Sequence, residues 1–264
     1  MKIILYWVLF MIVFSCSYVE KEPFTFVQLC DTQLGMGGYE QDIKSFEQAV
    51  LQINELNPDF AVICGDLVHD AADSTYVEFK RVKRALNVPC YLAPGNHDVG
   101  NLPTAKSLNY YRKIIGKDYF TFENKGYSFM VANTQLWKVE VESESKLHNE
   151  WFENTLRTEA KKNNPVFVIG HYPIFLKTPD EEEVYFNLPI EKRAKILNLF
   201  KNNNVKAYLS GHKHETVINN YEGMQFVSGE TTSKNFDGRP LGFRLWNVAK
   251  DSISHQFVPL KKKI

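Results

Sequence analysis

Four of the seven histidines fall in short polar clusters that close runs of strand-forming residues. The stretch Gly211-His212-Lys213-His214 follows Val205 to Leu209 and sets two imidazoles two residues apart. In extended backbone, side chains at i and i+2 share a face, so both rings are expected to reach one small volume. Alone, such a pair is an ordinary polar turn. Four earlier strand-like runs, however, also end in groups able to bind metal: Asp31-Thr32-Gln33, Gly65-Asp66, Gly95-Asn96-His97-Asp98 and Gly170-His171. Clusters at five strand ends read as one site rather than as five solvated loops.

Together the clusters offer two carboxylates (Asp31, Asp66), two amide oxygens (Gln33, Asn96) and three imidazoles (His171, His212, His214). A mixed oxygen and nitrogen set without thiolate suits Mn, Fe, Zn or Mg rather than a structural zinc, with Mn preferred. So many donors exceed what one tetrahedral ion takes and suit two divalent ions sharing a bridging carboxylate. Two ions outweigh two aspartates and a hydroxide in charge, and the surplus favours an incoming phosphate oxyanion. Ions about 3.5–4 Å apart would activate the hydroxide and clamp the phosphoryl oxygens during in-line displacement. The leaving alkoxide needs a proton, and His97, next to Asn96, is placed to supply it.

Positioning these groups requires several elements that converge at one end. Phe24 to Cys30 reads as a strand and is followed by a Gly-rich loop (Gly35, Gly37, Gly38). A helix then carries Ile43, Phe46, Val50, Ile53 and Leu56 at near-3.6 spacing. Phe60 to Cys64 is a continuous apolar run, as expected of a strand buried on both faces. A helix from about Thr75 to Leu86 and a strand from Pro89 to Ala93 complete a β-α-β-α-β alternation, which predicts parallel strands with crossover helices. Ligands bind outside the carboxyl ends of such strands. Asn124-Lys125-Gly126 predicts a hairpin turn between Tyr119 to Glu123 and Tyr127 to Asn133. Further on, the pattern predicts a helix over Lys146 to Ala160 with Leu147, Trp151 and Leu156 inward. It adds a core strand Pro165 to Ile169, an acidic solvated loop Thr178 to Val184 and a helix Pro189 to Phe200. The tail holds three or four strands, among them Gln225 to Ser228, Phe243 to Val248 and Ser252 to Val258. With no internal repeat or linker, residues 24–264 read as one domain of two packed mixed sheets with helices outside.

The series D-x-Q, G-D, G-N-H-D, G-H and G-H-x-H, in this order, resembles the calcineurin-like metallophosphoesterases over about Phe24 to Val258. Several stretches resemble its small, single-domain serine/threonine phosphatase branch: Gly95 to Asn101 with Pro103-Thr104-Ala105, the acidic run leading into Tyr185-Phe186-Asn187-Leu188, and Gly242-Phe243-Arg244. The resemblance implies an α/β (α+β) fold, a four-layer αββα sandwich with the metal site at strand C-terminal ends. It implies one metal on Asp31, Gln33, Asp66 and His214 and another on Asp66, Asn96, His171 and His212, with Asp66 bridging and His97 as general acid. It also implies hydrolysis of phosphomonoesters, with phosphoserine or phosphothreonine proteins or a small phosphoester as substrate. A phosphodiesterase or pyrophosphatase of the same fold, and a non-enzymatic scaffold, are the alternatives; the intact ligand set with His97 argues against the scaffold. Gln33 replaces the histidine of most relatives. The segment Leu67-Val68-His69-Asp70 lacks the phosphate-holding arginine of the large serine/threonine phosphatases. Arg239 and Arg244 are candidate replacements, though a salt bridge is the simpler reading of each, and His69 reads either as a residue that orients a metal ligand or as a hydrogen-bonded structural histidine.

The 264 residues are 44% hydrophobic and 23% charged, with a formal net charge of zero. Such a chain has no global field for collecting nucleic acid, and none is expected as a partner. Lys261 to Lys263 read as a solvated tail. Residues 1–23 read as a leader and tether. Lys2 precedes an apolar run, Ile3 to Phe14, too short to span a bilayer and fit for a secretory signal. The run ends at Val13-Phe14-Ser15-Cys16, which resembles a bacterial lipobox, with Phe14 bulkier than usual. The expectation is a lipid anchor on Cys16 that holds the domain at the cell envelope outside the cytoplasm, with a secreted or periplasmic protein as alternative. Cys30, Cys64 and Cys90 read as buried free thiols.

Overall fold

The structure, a computed structural model, describes residues 21–250 and 252–261; Cys16 and its leader, together with Lys262 and Lys263, lie outside the described residues. The chain runs β1 (Phe24–Leu29), α1 (Tyr39–Leu56), β2 (Phe60–Cys64), α2 (Asp73–Lys83), β3 (Cys90–Ala93), α3 (Asn96–Val99) and α4 (Ala105–Ile114). It continues through β4 (Phe120–Asn124), β5 (Tyr127–Val131), α5 (Gln135–Lys138), α6 (Glu142–Lys161), β6 (Val166–Ile169), α7 (Ile190–Asn202) and β7 (Val205–Ser210). It closes with β8 (Val217–Tyr221), β9 (Met224–Ser228), β10 (Gly242–Ala249) and β11 (Ser252–Pro259).

The strand alternation explains the layers. In β1, Phe24 and Phe26 point to one side while Val27 and Leu29 point to the other, and all four are buried. In β2, Phe60, Val62 and Cys64 take the first side and Ala61 and Ile63 the second. The period of two thus feeds two separate cores, which is why β2 reads as an unbroken apolar run. One sheet has the order β11-β10-β1-β2-β3, the other β4-β5-β6-β7-β9-β8. Both are mixed: β1, β2 and β3 are parallel while β10 runs antiparallel to β1, and β5, β6, β7 and β9 are parallel between antiparallel edges.

Between the sheets lies an aromatic core in which Phe26 stacks on Phe60 at 5.0 Å and on Trp246 at 5.5 Å, with Phe129 and Phe167 edge-on at 5.6 Å. A second core joins the first sheet to α1, α2 and α4, and a third joins the second sheet to α6 and α7. Helix, sheet, sheet and helix layers follow, as expected. Polar links also cross the central layer, among them buried Gln28, which donates to the Ser210 and Val227 carbonyls and accepts from Trp246 Nε1.

The hairpin turn forms where expected, with Lys125 and Gly126 at positive φ. A second hairpin, β8 to β9, turns on Glu222 and Gly223 in the same way; its first strand was not anticipated, because Val217 to Tyr221 carries two consecutive asparagines. Cys30, Cys64 and Cys90 are free, the first two fully buried. Leu56, expected inward, is exposed at the last turn of α1. Helix α6 corrects a second expectation. Leu147 is 55% exposed, and the buried stripe is Ser145, His148, Phe152, Leu156 and Glu159, so the inward face lies about one residue from where Leu147 placed it.

His148 is therefore a core histidine. Its ring packs against Tyr119, Trp137 and Phe152, and its Nε2 accepts from the Asn133 N–H at 3.2 Å. Burial pushes the imidazole down to about 4. Below about pH 6.5 the unfolded chain takes a proton that the folded chain refuses, so stability falls with pH through this window, by about 2 kcal/mol at pH 5. Urea midpoints of the chelated protein at pH 7.5 and 5.0 should show this loss, and His148→Gln, which keeps an acceptor, should reduce it. Equal pH dependence in the two proteins would remove His148 as its source.

Candidate metal centre

The carboxyl ends of β1, β2 and β3 from one sheet and of β6 and β7 from the other meet at one end of the sandwich, and each delivers a cluster. Asp31 and Gln33 follow β1, Asp66 follows β2, Asn96 and His97 open α3 after β3, His171 follows β6, and His212 and His214 follow β7. The loops are bound to one another. The Asp31 N–H donates to Gly65 O, the Gln33 N–H to Asp66 O, and the His97 N–H to Asp66 Oδ1 at 2.9 Å. The His212 N–H donates to the Asp31 carboxylate at 3.0 Å, tying one sheet's loop to the other's.

Backbone conformation corrects the reading of the His-x-His pair. His212 (φ 68) and His214 (φ 53) both occupy the left-handed region, so the chain coils here instead of extending. The two rings consequently serve different groups. Donor atoms of Asp66, His171 and His212 lie within 4.8 Å of one another, as do those of Asp31, Asp66 and His214. Asp66 belongs to both. Asp31 (φ 48), Gln33 (φ 30) and Asp66 (φ 51) are also left-handed, a conformation that costs non-glycine residues energy and persists only where the surroundings enforce it.

The hydrogen bonds set the protons. A carbonyl can only accept, so the Nδ1 atoms of His171, His214 and His97 must each carry hydrogen for the carbonyls of Cys64, Lys234 and His69. Their Nε2 atoms are left as the reactive ends, an arrangement common among metal-binding histidines. His171 Nε2 faces Asn96 Oδ1 at 2.9 Å, His212 Nδ1 at 3.1 Å and Asp66 Oδ2 at 3.3 Å. Lone pairs crowded so closely need a cation among them, proton or metal. Among the described residues, Gln33 Oε1 is buried without a hydrogen-bond partner, which a cation would also relieve. These donors fit a divalent metal centre.

Electrostatics agree. Burial pushes the Asp31 carboxyl up, against the partial pull of His214 and His171. Burial also opposes ionisation of Asp66, but the neighbouring His171 charge outweighs it and holds Asp66 well below the usual range. The same pairing, opposed by burial, lifts His171 to about 9. His212 is driven well down by burial and by the His171 charge. A proton on His171 and a divalent cation are thus alternative ways to balance the buried carboxylates.

Close approach explains two glycines. A Cβ on Gly95 would stand 2.0 Å from Asp66 Oδ1 and 2.2 Å from its backbone nitrogen. Gly65, at φ 81, would put one 2.6 Å from His171 Nδ1. Other groups support the ligands: Asp98 and His69 stand next to motif residues in the sequence, whereas Thr134 gave no sequence signal. Asp98 accepts from the Gly95 and Leu67 N–H groups, and burial followed by the Asp66 charge pushes it up to about 7. Thr134 Oγ1 accepts from the N–H groups of His171 and Tyr172. His69 stacks on His97 at 4.7 Å and lies 3.4 Å from Gln33 Nε2, so it belongs to the site's surroundings.

The acidic loop is more ordered than a solvated run. Glu181 accepts from the N–H groups of Leu176 and Lys177 and from Asn187 Nδ2, and fully buried Arg193 donates to the carbonyls of Pro179, Glu181, Glu182 and Leu188. So held, the loop brings Tyr185 and Phe186 onto the His212 ring, at 4.9 and 5.5 Å. Arg244 is buried in an ion pair with Glu230 and bonded to His255, and Arg239 pairs with Asp237, so each has the salt bridge expected of it.

Residues 24–216 match the family model described as calcineurin-like phosphoesterase. The chain is 32% identical over 266 residues to the serine/threonine-protein phosphatase CPPED1 of Homo sapiens, covering 91% of this chain and 85% of that protein. It is 29% identical over 195 residues to the 3′,5′-cyclic adenosine monophosphate phosphodiesterase CpdA of Haemophilus influenzae, covering 73% and 68%. Its fold matches a dimetal phosphatase from Danio rerio with a TM-score of 0.68 at 17% identity, over 89% of this chain and 95% of that one. With the site's donors and these likenesses in view, the chain belongs to the calcineurin-like phosphoesterases, hydrolases that act on phosphoesters.

Proposed function

We propose that the protein is a dinuclear metal-dependent phosphomonoesterase whose substrates are phosphoserine or phosphothreonine esters, with Mn²⁺ as the preferred ion. The observation that carries the reading is the pair of donor groups sharing Asp66. Asp31, Gln33, Asp66 and His214 would hold one ion, and Asp66, Asn96, His171 and His212 the other. Bound there, the ions would supply positive charge for the phosphoryl oxygens and a nucleophile at neutral pH. His97 Nδ1–H is committed to the His69 carbonyl, so Nε2 is the atom that can hold and give up a proton to the leaving alkoxide. The Asp66 bond to the His97 N–H keeps that ring in register with the ligands. Tyr185 and Phe186 narrow the approach over His212, and the likeness to a serine/threonine-protein phosphatase supports the substrate class. The likeness to a cyclic-nucleotide phosphodiesterase favours diester hydrolysis as the second reading. We also propose that Cys16 carries a lipid anchor, from its lipobox-like setting.

Chelation should abolish hydrolysis and Mn²⁺ should restore it best. Asp66→Asn should be the most damaging single ligand change because it weakens both ions; near-normal activity with two ions bound would sink the shared-ligand assignment. For substrate class, kcat/KM should be measured with Mn²⁺ on para-nitrophenyl phosphate, its bis-ester, a phosphoserine peptide and a cyclic nucleotide. Monoesters should lead, and a diester preferred by about tenfold, roughly 1.4 kcal/mol of transition-state binding, would promote the second reading. Cys16→Ala should end lipid labelling and move protein to the soluble fraction; wild-type protein found soluble in the cytoplasm would overturn the anchor.

A further inference from the structure

Asn96 presents a problem of polarity. A carboxamide has two ends of nearly equal shape, one an acceptor and the other a donor. Only the oxygen end can face a cation, and nothing in the covalent geometry of Asn96 chooses between them. The choice is made by a neighbour. Tyr185 Oη lies 3.1 Å from Asn101 Oδ1 and 3.2 Å from Asn96 Nδ2. A hydroxyl has a single proton. Given to Asn101, it leaves a lone pair toward Asn96, which the amide N–H must meet. Asn96 Oδ1 is then turned the other way, to 2.9 Å from His171 Nε2, the atom that also faces His212 Nδ1 and Asp66 Oδ2.

The relay is anchored at both ends. Asn96 and Asn101 flank the short turn built on α3, whose Gly100 N–H bonds back to the Asn96 carbonyl. Tyr185 comes from a different part of the chain, on the loop that Arg193 and Glu181 hold, and its half-exposed ring lies on His212. Nothing else in that loop reaches Asn96 with a hydrogen bond among the described residues.

We propose that Tyr185, oriented by Asn101, is a positioning residue that fixes the amide orientation of Asn96 and so sets the affinity of the Asp66, His171 and His212 group for its divalent cation. The proposal rests on the reading of Asn96 as a metal ligand. Loss of such an outer hydrogen-bond partner commonly costs about 10–100-fold in metal affinity.

The test is calorimetric titration of Mn²⁺ into the chelated full-length chain, with the melting temperature of each metal-free variant measured alongside. Tyr185→Phe keeps the ring and removes the relay; it should weaken one of the two ions about tenfold, leave the other unchanged and leave the metal-free melting temperature unaltered. Asn101→Ala, at an exposed position, should act in the same direction, and the double variant should lose no more than Tyr185→Phe alone, as members of one relay do. Turnover of Tyr185→Phe should recover as Mn²⁺ is raised to saturation, which a general loosening of the site would not produce. If the wild type binds two ions and Tyr185→Phe binds both as tightly, the proposal is overturned while the metal reading stands. Equal weakening of both ions, or a lower melting temperature of the metal-free variant, also overturns it. A wild type that binds fewer than two ions overturns the underlying reading and the proposal with it.

Discussion

Two carboxylates and three imidazoles are buried together where two sheets end, and that concentration of lone pairs must be balanced by a cation. Removing an unbalanced carboxylate from water costs several kcal/mol, so a group such as Asp66 is tolerable only beside positive charge. His171 provides it as an imidazolium, and a divalent ion would provide it better. The remaining features of this end of the molecule follow from the need to bring the donors close enough. The backbone is left-handed at Asp31, Gln33, Asp66, His212 and His214, and Gly65 and Gly95 lack side chains where a Cβ would strike a ligand. Strain of this kind collects at functional sites and is sustained by the rigid elements around them.

Those rigid elements are the two sheets. The aromatic layer around Phe26, Phe60, Phe129, Phe167 and Trp246 fixes the distance between them, and Gln28 pins their relative position by reaching from β1 to the carbonyls of β7 and β9. Asp31, just past the end of the strand that holds Gln28, then meets the His212 backbone from the opposite sheet. A small slide of one sheet over the other would separate the Asp31 and His214 group without disturbing either sheet's own hydrogen bonds. Packing of large rings in the centre is therefore a condition for the chemistry at the edge.

Around this centre the chain supplies partners that act on orientation. Backbone carbonyls hold Nδ1–H of three histidines, and an asparagine and a tyrosine from distant segments bear on a single amide. None of these groups differs in type from ordinary surface residues, and their meaning lies in what they face.

Much was legible from order and residue type. Alternation of strand and helix predicts the parallel β1-β2-β3 unit, continuous apolar runs predict strands buried on both faces, and the polar clusters after them name the donors, because carboxylate, amide and imidazole have few other uses at so many strand ends. The resemblance adds a partition into two groups; the carboxylate and imidazole donors around Asp66 form two sets, Asp31, Asp66 and His214 in one and Asp66, His171 and His212 in the other. What composition and spacing could not carry is direction. Leu147 looked inward by type, yet the stripe of α6 turned a histidine there. His212 and His214 looked like neighbours on an extended face, yet their coiled backbone sent them to different groups. The acidic run looked like a solvated loop, yet a buried arginine 12 residues from Glu181 folds it against the site. Each of these outcomes depends on contacts between residues far apart in the chain, and local pattern holds no information about which of them will meet.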